Sequence, residues 1–221
     1  PISSVVHLGD FGIFRSELRK YFRKEKNRFT KPVYFVEGNH EDYVLLPWLV
    51  EKYQEFFTHL KRGNVYEIDG YRFLALGGSN YMDAMTTQTG AEIRERDIEE
   101  CLKLPKEAID IIITHDCPIG INVPNTKGLE YYGDTGFKHS DKLIDHFRPR
   151  LWLFGHHHKW FRHTEEESSY FGLSSAWKGF GLLDKGFSFK PIEHGLPINR
   201  RPSFFEWILD KLSFTRTVVS E

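Results

Sequence analysis

The chain has 221 residues, 30 basic and 31 acidic side chains, and a formal net charge of −1. That balance excludes a strongly basic nucleic-acid coat and a polyacidic tail, and 19 Phe, 10 Tyr and 5 Trp exclude a disordered polymer. Two cysteines, Cys101 and Cys117, with no CxxC spacing exclude a disulfide framework and a Cys-rich zinc module, and predict a reducing, cytoplasmic setting.

Ser3 to Leu8 reads as a short buried strand halted by Gly9-Asp10. Phe14, Leu18, Tyr21 and Phe22 then recur at helical spacing and predict one buried face. The seven basic residues from Arg19 to Lys31 are expected on the wet side of that helix. Pro32 to Val36 is a second strand, ending at Glu37-Gly38-Asn39-His40. Strand, helix, strand at this spacing predicts a βαβ unit with parallel strands. The apolar run Val44 to Val50, broken by Pro47, is too short to span a membrane. Val65 to Ile68 and Tyr71 to Leu76 flank Asp69-Gly70, a strong hairpin signal. Gly77-Gly78-Ser79-Asn80 opens a polar loop, and Ala91 to Leu102 predicts a helix.

Ile109 to Thr114 is a buried strand ending at His115-Asp116, followed by a loop from Pro118 to Gly136. Ser140 is the expected N-cap of a helix over Asp141 to Phe147. Leu151 to Phe154 is an apolar strand ending at Gly155-His156-His157-His158, with further strands at Ser169–Leu173 and Gly179–Leu183. From Pro191 the composition turns to Pro, Arg and Asn, then to a short amphipathic stretch, Phe204 to Leu212. These patterns predict an α/β domain over residues 1–190 and a C-terminal extension over 191–221.

Four of the strands end in ligand-type residues: Asp10, Asn39-His40, His115 and His156 to His158. In open α/β sheets the carboxyl ends of strands line one crevice, so residues distant in sequence meet there. A mixed oxygen and nitrogen set suits Mn, Fe or Zn better than Mg or Ca. His7 falls at the wrong parity to join Asp10 and is expected to lie on the sheet. His157 should point opposite to its neighbours in an extended run. His59, His139, His146, His163 and His194 have no motif context and predict solvent or capping roles. Trp152, Phe154 and Trp160 read as core, and Tyr81, Tyr131 and Tyr132 as shapers of a substrate pocket.

Gly9-Asp10, Gly38-Asn39-His40-Glu41, Thr114-His115 and Gly155-His156-His157-His158 stand in order, each behind a predicted strand. In this order the chain resembles the calcineurin-like metallophosphoesterases over roughly residues 3 to 185. The resemblance implies an α/β sandwich of two mixed β-sheets flanked by helices. It implies two divalent metal ions, Mn first and Fe, Zn or Ni as alternatives. Residue by residue, Asp10 matches the carboxylate bridging both metals, and Asn39, His115 and His156 match ligands of one metal. His158 matches a ligand of the other. His40 matches the residue that stabilises the phosphoryl group or protonates the leaving oxygen. The implied activity is hydrolysis of phosphate mono- or diesters by in-line attack of a hydroxide held between the metals. Asp10 and His40 are then the residues at the reacting atoms.

The family's first motif, Asp-x-His, has no counterpart here. The expectation is a fold lacking its first β-α unit, on the order of 30 residues, with the His158 metal position incomplete. An upstream start, including a signal peptide, is compatible with a chain opening on Pro1. The residues after Asp10, Phe11-Gly12-Ile13-Phe14-Arg15, lack the Asp and Arg of the phosphoprotein phosphatase signature. Thr114-His115-Asp116-Cys117-Pro118 and Arg148-Pro149-Arg150-Leu151-Trp152 locally resemble RNA lariat debranching enzymes. Those enzymes carry Ala-His-Leu-His where this chain has Gly155-His156-His157-His158. The expected partner is thus a phosphate ester, with nucleotides and nucleic acid among the candidates, and no membrane. Two alternatives stand beside the hydrolase: a protein-interaction scaffold with impaired catalysis, and a debranching-type phosphodiesterase.

Overall fold

The computed structural model describes residues 2–80, 87–125 and 133–194. Strands β1 (Val5–Leu8), β2 (Val33–Val36) and β3 (Thr58–His59) form a parallel three-stranded sheet in that order. Between β1 and β2 lies α1 (Arg15–Leu18), which runs on as a π-type helix over Arg19–Lys24. The expected βαβ unit is present. Its helical face is narrower than the periodicity predicts: Leu18 and Phe22 are buried, but Tyr21 is 40% exposed. The bond from Glu25 N–H to the Lys20 carbonyl shows the wider winding, which turns Tyr21 out of a 3.6-residue stripe.

Helix α2 (Leu46–Lys52) follows β2 and occupies the run that Pro47 seemed to break. Pro47 stands in the first turn, where the missing N–H costs nothing. Strands β4 (Asn64–Ile68) and β5 (Tyr71–Leu76) form the expected hairpin. Asp69 and Gly70 both take positive φ (51° and 84°), the backbone of a two-residue primed turn. Helix α3 spans Glu95–Leu102, four residues shorter than predicted. The Asn80 side chain binds both the N–H and the C=O of Ile93, which keeps the chain out of helix until Arg94.

The large sheet has six strands in the order β4-β5-β6-β7-β9-β8, with β6 Ile111–Thr114, β7 Leu151–Phe154, β8 Phe161–Glu165 and β9 Ser168–Gly172. It is mixed: β5, β6, β7 and β9 are parallel, while β4 and β8 run antiparallel at the edges. Helix α4 covers Ser140–Phe147. Ser140 does not cap it, because its hydroxyl donates to the Phe137 carbonyl and accepts from Ile119 N–H. The cap position falls to His139 in left-handed backbone. A separate hairpin, β10 (Gly179–Leu183) with β11 (Phe189–Glu193), crosses the boundary expected at residue 190. Phe204 to Leu212 and Tyr81, Tyr131 and Tyr132 lie outside the described residues.

Alternation along the strands sorts the side chains into layers. Ile111, Ile113, Leu151 and Leu153 face Leu8 and Val36 between the two sheets. Ile112, Trp152 and Phe154 point the other way, against Ile98, Leu143 and Phe147 of α3 and α4. Val33 and Phe35 cover Leu18, Phe22 and Leu49 of α1 and α2. The result is helix, sheet, sheet, helix, with the described helices outside. Trp152 and Phe154 are core as predicted, and Trp160 is half-buried.

Ile113 has no exposed surface in the layer between the sheets. Ile113→Ala is expected to lower the unfolding free energy by about 2–5 kcal/mol, measured by urea denaturation of the metal-free protein.

Candidate metal centre

The loops after β1, β2, β6 and β7 bring Asp10, Asn39, His115 and His156 to one sheet edge. Ligand atoms of Asp10, His115 and His156 lie within 4.8 Å of one another. Asn39 Oδ1 stands 3.1 Å from His115 Nε2, and Asp10 Oδ2 stands 3.4 Å from the same nitrogen. Close approach here requires glycine. A Cβ on Gly38 would fall 2.1 Å from Asp10 Oδ1, and one on Gly9, at φ +92°, would fall 2.1 Å from His115 Nδ1.

The hydrogen bonds orient each donor. His115 Nδ1 lies 2.6 Å from the Leu8 carbonyl, which can only accept, so Nδ1 carries a hydrogen. Nε2 then faces the oxygens of Asn39 and Asp10. A proton on Nε2 satisfies those oxygens in the ion-free centre, and a divalent cation in its place would be met by all three atoms. An imidazole whose second nitrogen donates to a backbone carbonyl is a usual metal ligand. Asn39 Nδ2 is 3.1 Å from Thr87 Oγ1 and 3.3 Å from His40 Nε2. This turns the amide oxygen, not the nitrogen, toward the centre. The donor set of carboxylate, amide oxygen and imidazole fits a divalent transition ion.

Charge follows the same plan. Burial opposes ionisation of Asp10, but His115 beside it and His40 nearby hold its carboxyl well below the usual range. Burial also opposes the charged form of His115, and Asp10 more than reverses this, raising the ring above its ordinary value. Burial lowers His156 to about 4 and lowers His158 as well. Both rings are therefore neutral near pH 7, as metal ligands must be.

His158 stands apart. It is not among the residues whose ligand atoms converge, and its ring meets Trp177 edge-on at 5.8 Å. His40 is tied to the centre through its backbone N–H, which donates to Asp10 Oδ1 over 3.1 Å. Its Nε2 accepts from the Asn39 amide, so its own proton rests on Nδ1. The run His156–His158 is not extended, since His156 and His158 take positive φ (59° and 54°). His157 still turns away as expected, with Nε2 3.0 Å from Asp116 Oδ1. His7 lies against Phe11, and burial pushes it down to about 4.

Sequence reasoning missed three buried carboxylates around the centre. Glu41 accepts from Phe11 N–H at 2.6 Å and Gly38 N–H at 2.7 Å, joining the loops that carry Asp10 and Asn39. Burial, with the Asp10 charge adding to it, lifts Glu41 to about 7. Glu37 binds His59 Nε2 at 2.7 Å and Arg62 Nε at 2.5 Å. His59 is therefore a hydrogen-bond partner of a buried carboxylate, not a solvent residue, a contact that no local motif announces. Arg62 also reaches the Tyr43 hydroxyl and the carbonyls of Gly90 and Ala91. Asp116 is the third. Its group with Cys117 and His157 also lies within 4.8 Å, but both carboxylate oxygens already take N–H or O–H donors. Beside Asn39, a cavity of about 560 Å³ opens past Ser79, Thr87, Gln88, Arg94, Asp134 and Lys138.

A strand-end crevice lined by carboxylate, amide and imidazoles over a two-sheet sandwich defines a metal-binding α/β protein. The profile of the calcineurin-like phosphoesterase family matches residues 2–160, and the chain belongs to that family. The family is one of metal-dependent phosphoesterases, which typically bind divalent ions and act on phosphate esters. No curated protein sequence matches the chain. One solved structure overlays with a TM-score of 0.59 at 15% identity, covering 80% of this chain and 71% of its own. Phosphopantetheinyl hydrolase from Mycobacterium tuberculosis overlays with a TM-score of 0.56 at 12% identity, covering 92% of this chain and 89% of its own. At such identities the likeness is one of fold. No helix among the described residues is long and apolar enough to cross a membrane.

Burial opposes ionisation of Glu37, yet His59 and Arg62 hold it below its ordinary 4.5. The stability it contributes is in place above about pH 4.5 and is lost as the pH falls below that. Glu37→Gln is expected to flatten the acid limb of the stability profile, followed by urea denaturation between about pH 3 and 6.

Proposed function

We propose that the protein hydrolyses phosphate mono- or diesters with two divalent ions, Mn²⁺ being the best fit. The observation that carries this reading is the meeting of Asp10, His115 and His156 within 4.8 Å, with the Asn39 oxygen 3.1 Å from His115 Nε2. Asp10, Asn39, His115 and His156 would hold one ion, with Asp10 shared and His158 serving the second. When bound, the ions supply Lewis acidity toward phosphoryl oxygens and lower the pKa of water toward neutrality. Asp10 supplies the negative charge that two close cations need between them. The neutral imidazoles add none that would repel a phosphate. His40 would stabilise the phosphoryl group through its Nδ1–H or, once protonated on both nitrogens, give a proton to the leaving oxygen and return to the neutral ring. Arg94 and Lys138 in the adjoining cavity set positive charge, offset by Asp134 and Glu92, where the ester's substituent would lie.

The test uses p-nitrophenyl phosphate and bis-p-nitrophenyl phosphate. Turnover is expected with Mn²⁺ and none after chelation. His40→Ala is expected to lower kcat by about 10²–10⁴-fold with bound metal retained. Unchanged turnover in that variant would remove His40 from the chemistry.

A second reading, a fold relative that acts as a protein-binding scaffold, draws on one observation: His158 lies outside the converging ligand atoms. Metal content separates the two. At least one ion per folded chain, held by Asp10, Asn39, His115 and His156, is the expected result for the hydrolase, and none is the result for the scaffold.

A further inference from the structure

We propose that Asp116 is a positioning residue that acts through Ser79 to hold His156 as its Nε2–H tautomer, leaving Nδ1 to face the metal. The metal half of this statement rests on the reading above; the tautomer half does not.

Asp116 directly follows His115, and its side chain is wholly buried. It draws together three loops of the large sheet. Oδ2 takes the Ser79 hydroxyl at 3.1 Å and Asn80 N–H at 3.0 Å, from the loop after β5. Oδ1 takes Cys117 N–H at 2.8 Å, after β6, and His157 Nε2 at 3.0 Å, after β7. Two donors on each oxygen make this carboxylate an acceptor throughout. Each of its partners must therefore point a hydrogen at it.

For Ser79 this has a consequence one bond further on. A serine hydroxyl has one hydrogen, and here it is directed to Asp116. The same oxygen lies 3.1 Å from His156 Nε2, toward which it presents a lone pair. Nε2 must then carry the hydrogen. A neutral imidazole has one N–H, so the lone pair of His156 is on Nδ1. His115 is the mirror case: its Nδ1 hydrogen goes to the Leu8 carbonyl and Nε2 is the nitrogen that faces Asp10 and Asn39. The two neighbouring rings stand 4.9 Å apart, edge to face, and each is oriented by a bond from its other nitrogen, to Ser79 for His156 and to Leu8 for His115. Asp116 also binds His157, so it fixes two consecutive residues of the turn that delivers His156.

The test reads the tautomer directly. Long-range ¹H–¹⁵N correlation of the imidazoles in the metal-free protein is expected to show His156 protonated at Nε2. In Ser79→Ala the acceptor is gone, and a tautomer mixture is expected at His156. The Mn²⁺ affinity of that variant, measured by calorimetry, is expected to fall about 10–100-fold, with cooperative unfolding retained. Asp116→Asn should change the same two readouts; if it does not fold, Ser79→Ala carries the test alone. His156 protonated at Nδ1 in the wild type would overturn the proposal. So would an unchanged tautomer and unchanged Mn²⁺ affinity in Ser79→Ala. A wild-type protein that takes up no Mn²⁺ but keeps His156 protonated at Nε2 overturns the metal reading and supports the tautomer assignment.

Discussion

The bond between His115 Nδ1 and the Leu8 carbonyl, 2.6 Å long, spans the two sheets at the edge where the centre forms. His115 closes β6 of the large sheet, and Leu8 closes β1 of the small one. Each sheet has its own ladder of backbone hydrogen bonds, so apolar packing of Leu8 and Val36 on Ile113 and Leu153 sets their separation. The ring of His115 then turns that separation into chemistry. Its donated hydrogen commits Nδ1 to Leu8, so Nε2 is the nitrogen that Asp10 and Asn39 meet. Gly155 lets the two sheets approach there: its N–H donates to the His115 carbonyl within the large sheet, and a Cβ on it would come 2.8 Å from the Leu8 oxygen of the small one.

Around that point the loops are fastened by acids rather than by apolar contact. Glu41 joins the loops of β1 and β2, Glu37 joins β2 to β3 and the segment before α3, and Asp116 joins those of β5, β6 and β7. A buried carboxylate is costly unless every oxygen is met by a donor. Once met, it holds several backbone segments in one arrangement. Electrostatics thus does at the sheet edge what packing does below it. The two domains of effect are separable: the layers fix distance, and the acids fix direction.

Much of this was legible in the chain itself. Short apolar runs ending in Asp10, Asn39, His115 and His156 predict strand tips, and strand tips share an edge. Asp69-Gly70 declares its turn because few residue pairs accept two positive φ values. What stayed hidden depends on partners distant in sequence. The start of α3 is set by Asn80, thirteen residues before Ile93. The winding after α1 departs from 3.6 residues per turn, which no periodicity of three or four can announce. Helix α2 was obscured by Pro47, a breaker inside a helix but harmless in its first turn. His59 and Asp116 look ordinary until the fold brings Glu37 and Ser79 to them.

Asp10, His156 and His158 all adopt left-handed backbone, with φ of 54°, 59° and 54°. For non-glycine residues that conformation costs on the order of 1 kcal/mol each. The chain does not hold these shapes by local preference; the surrounding layers impose them. The shape of the crevice is thus a loan from the hydrophobic interior. A core that loosens without unfolding would let these three residues relax to commoner angles, and the crevice would lose its shape while the secondary structure still stood.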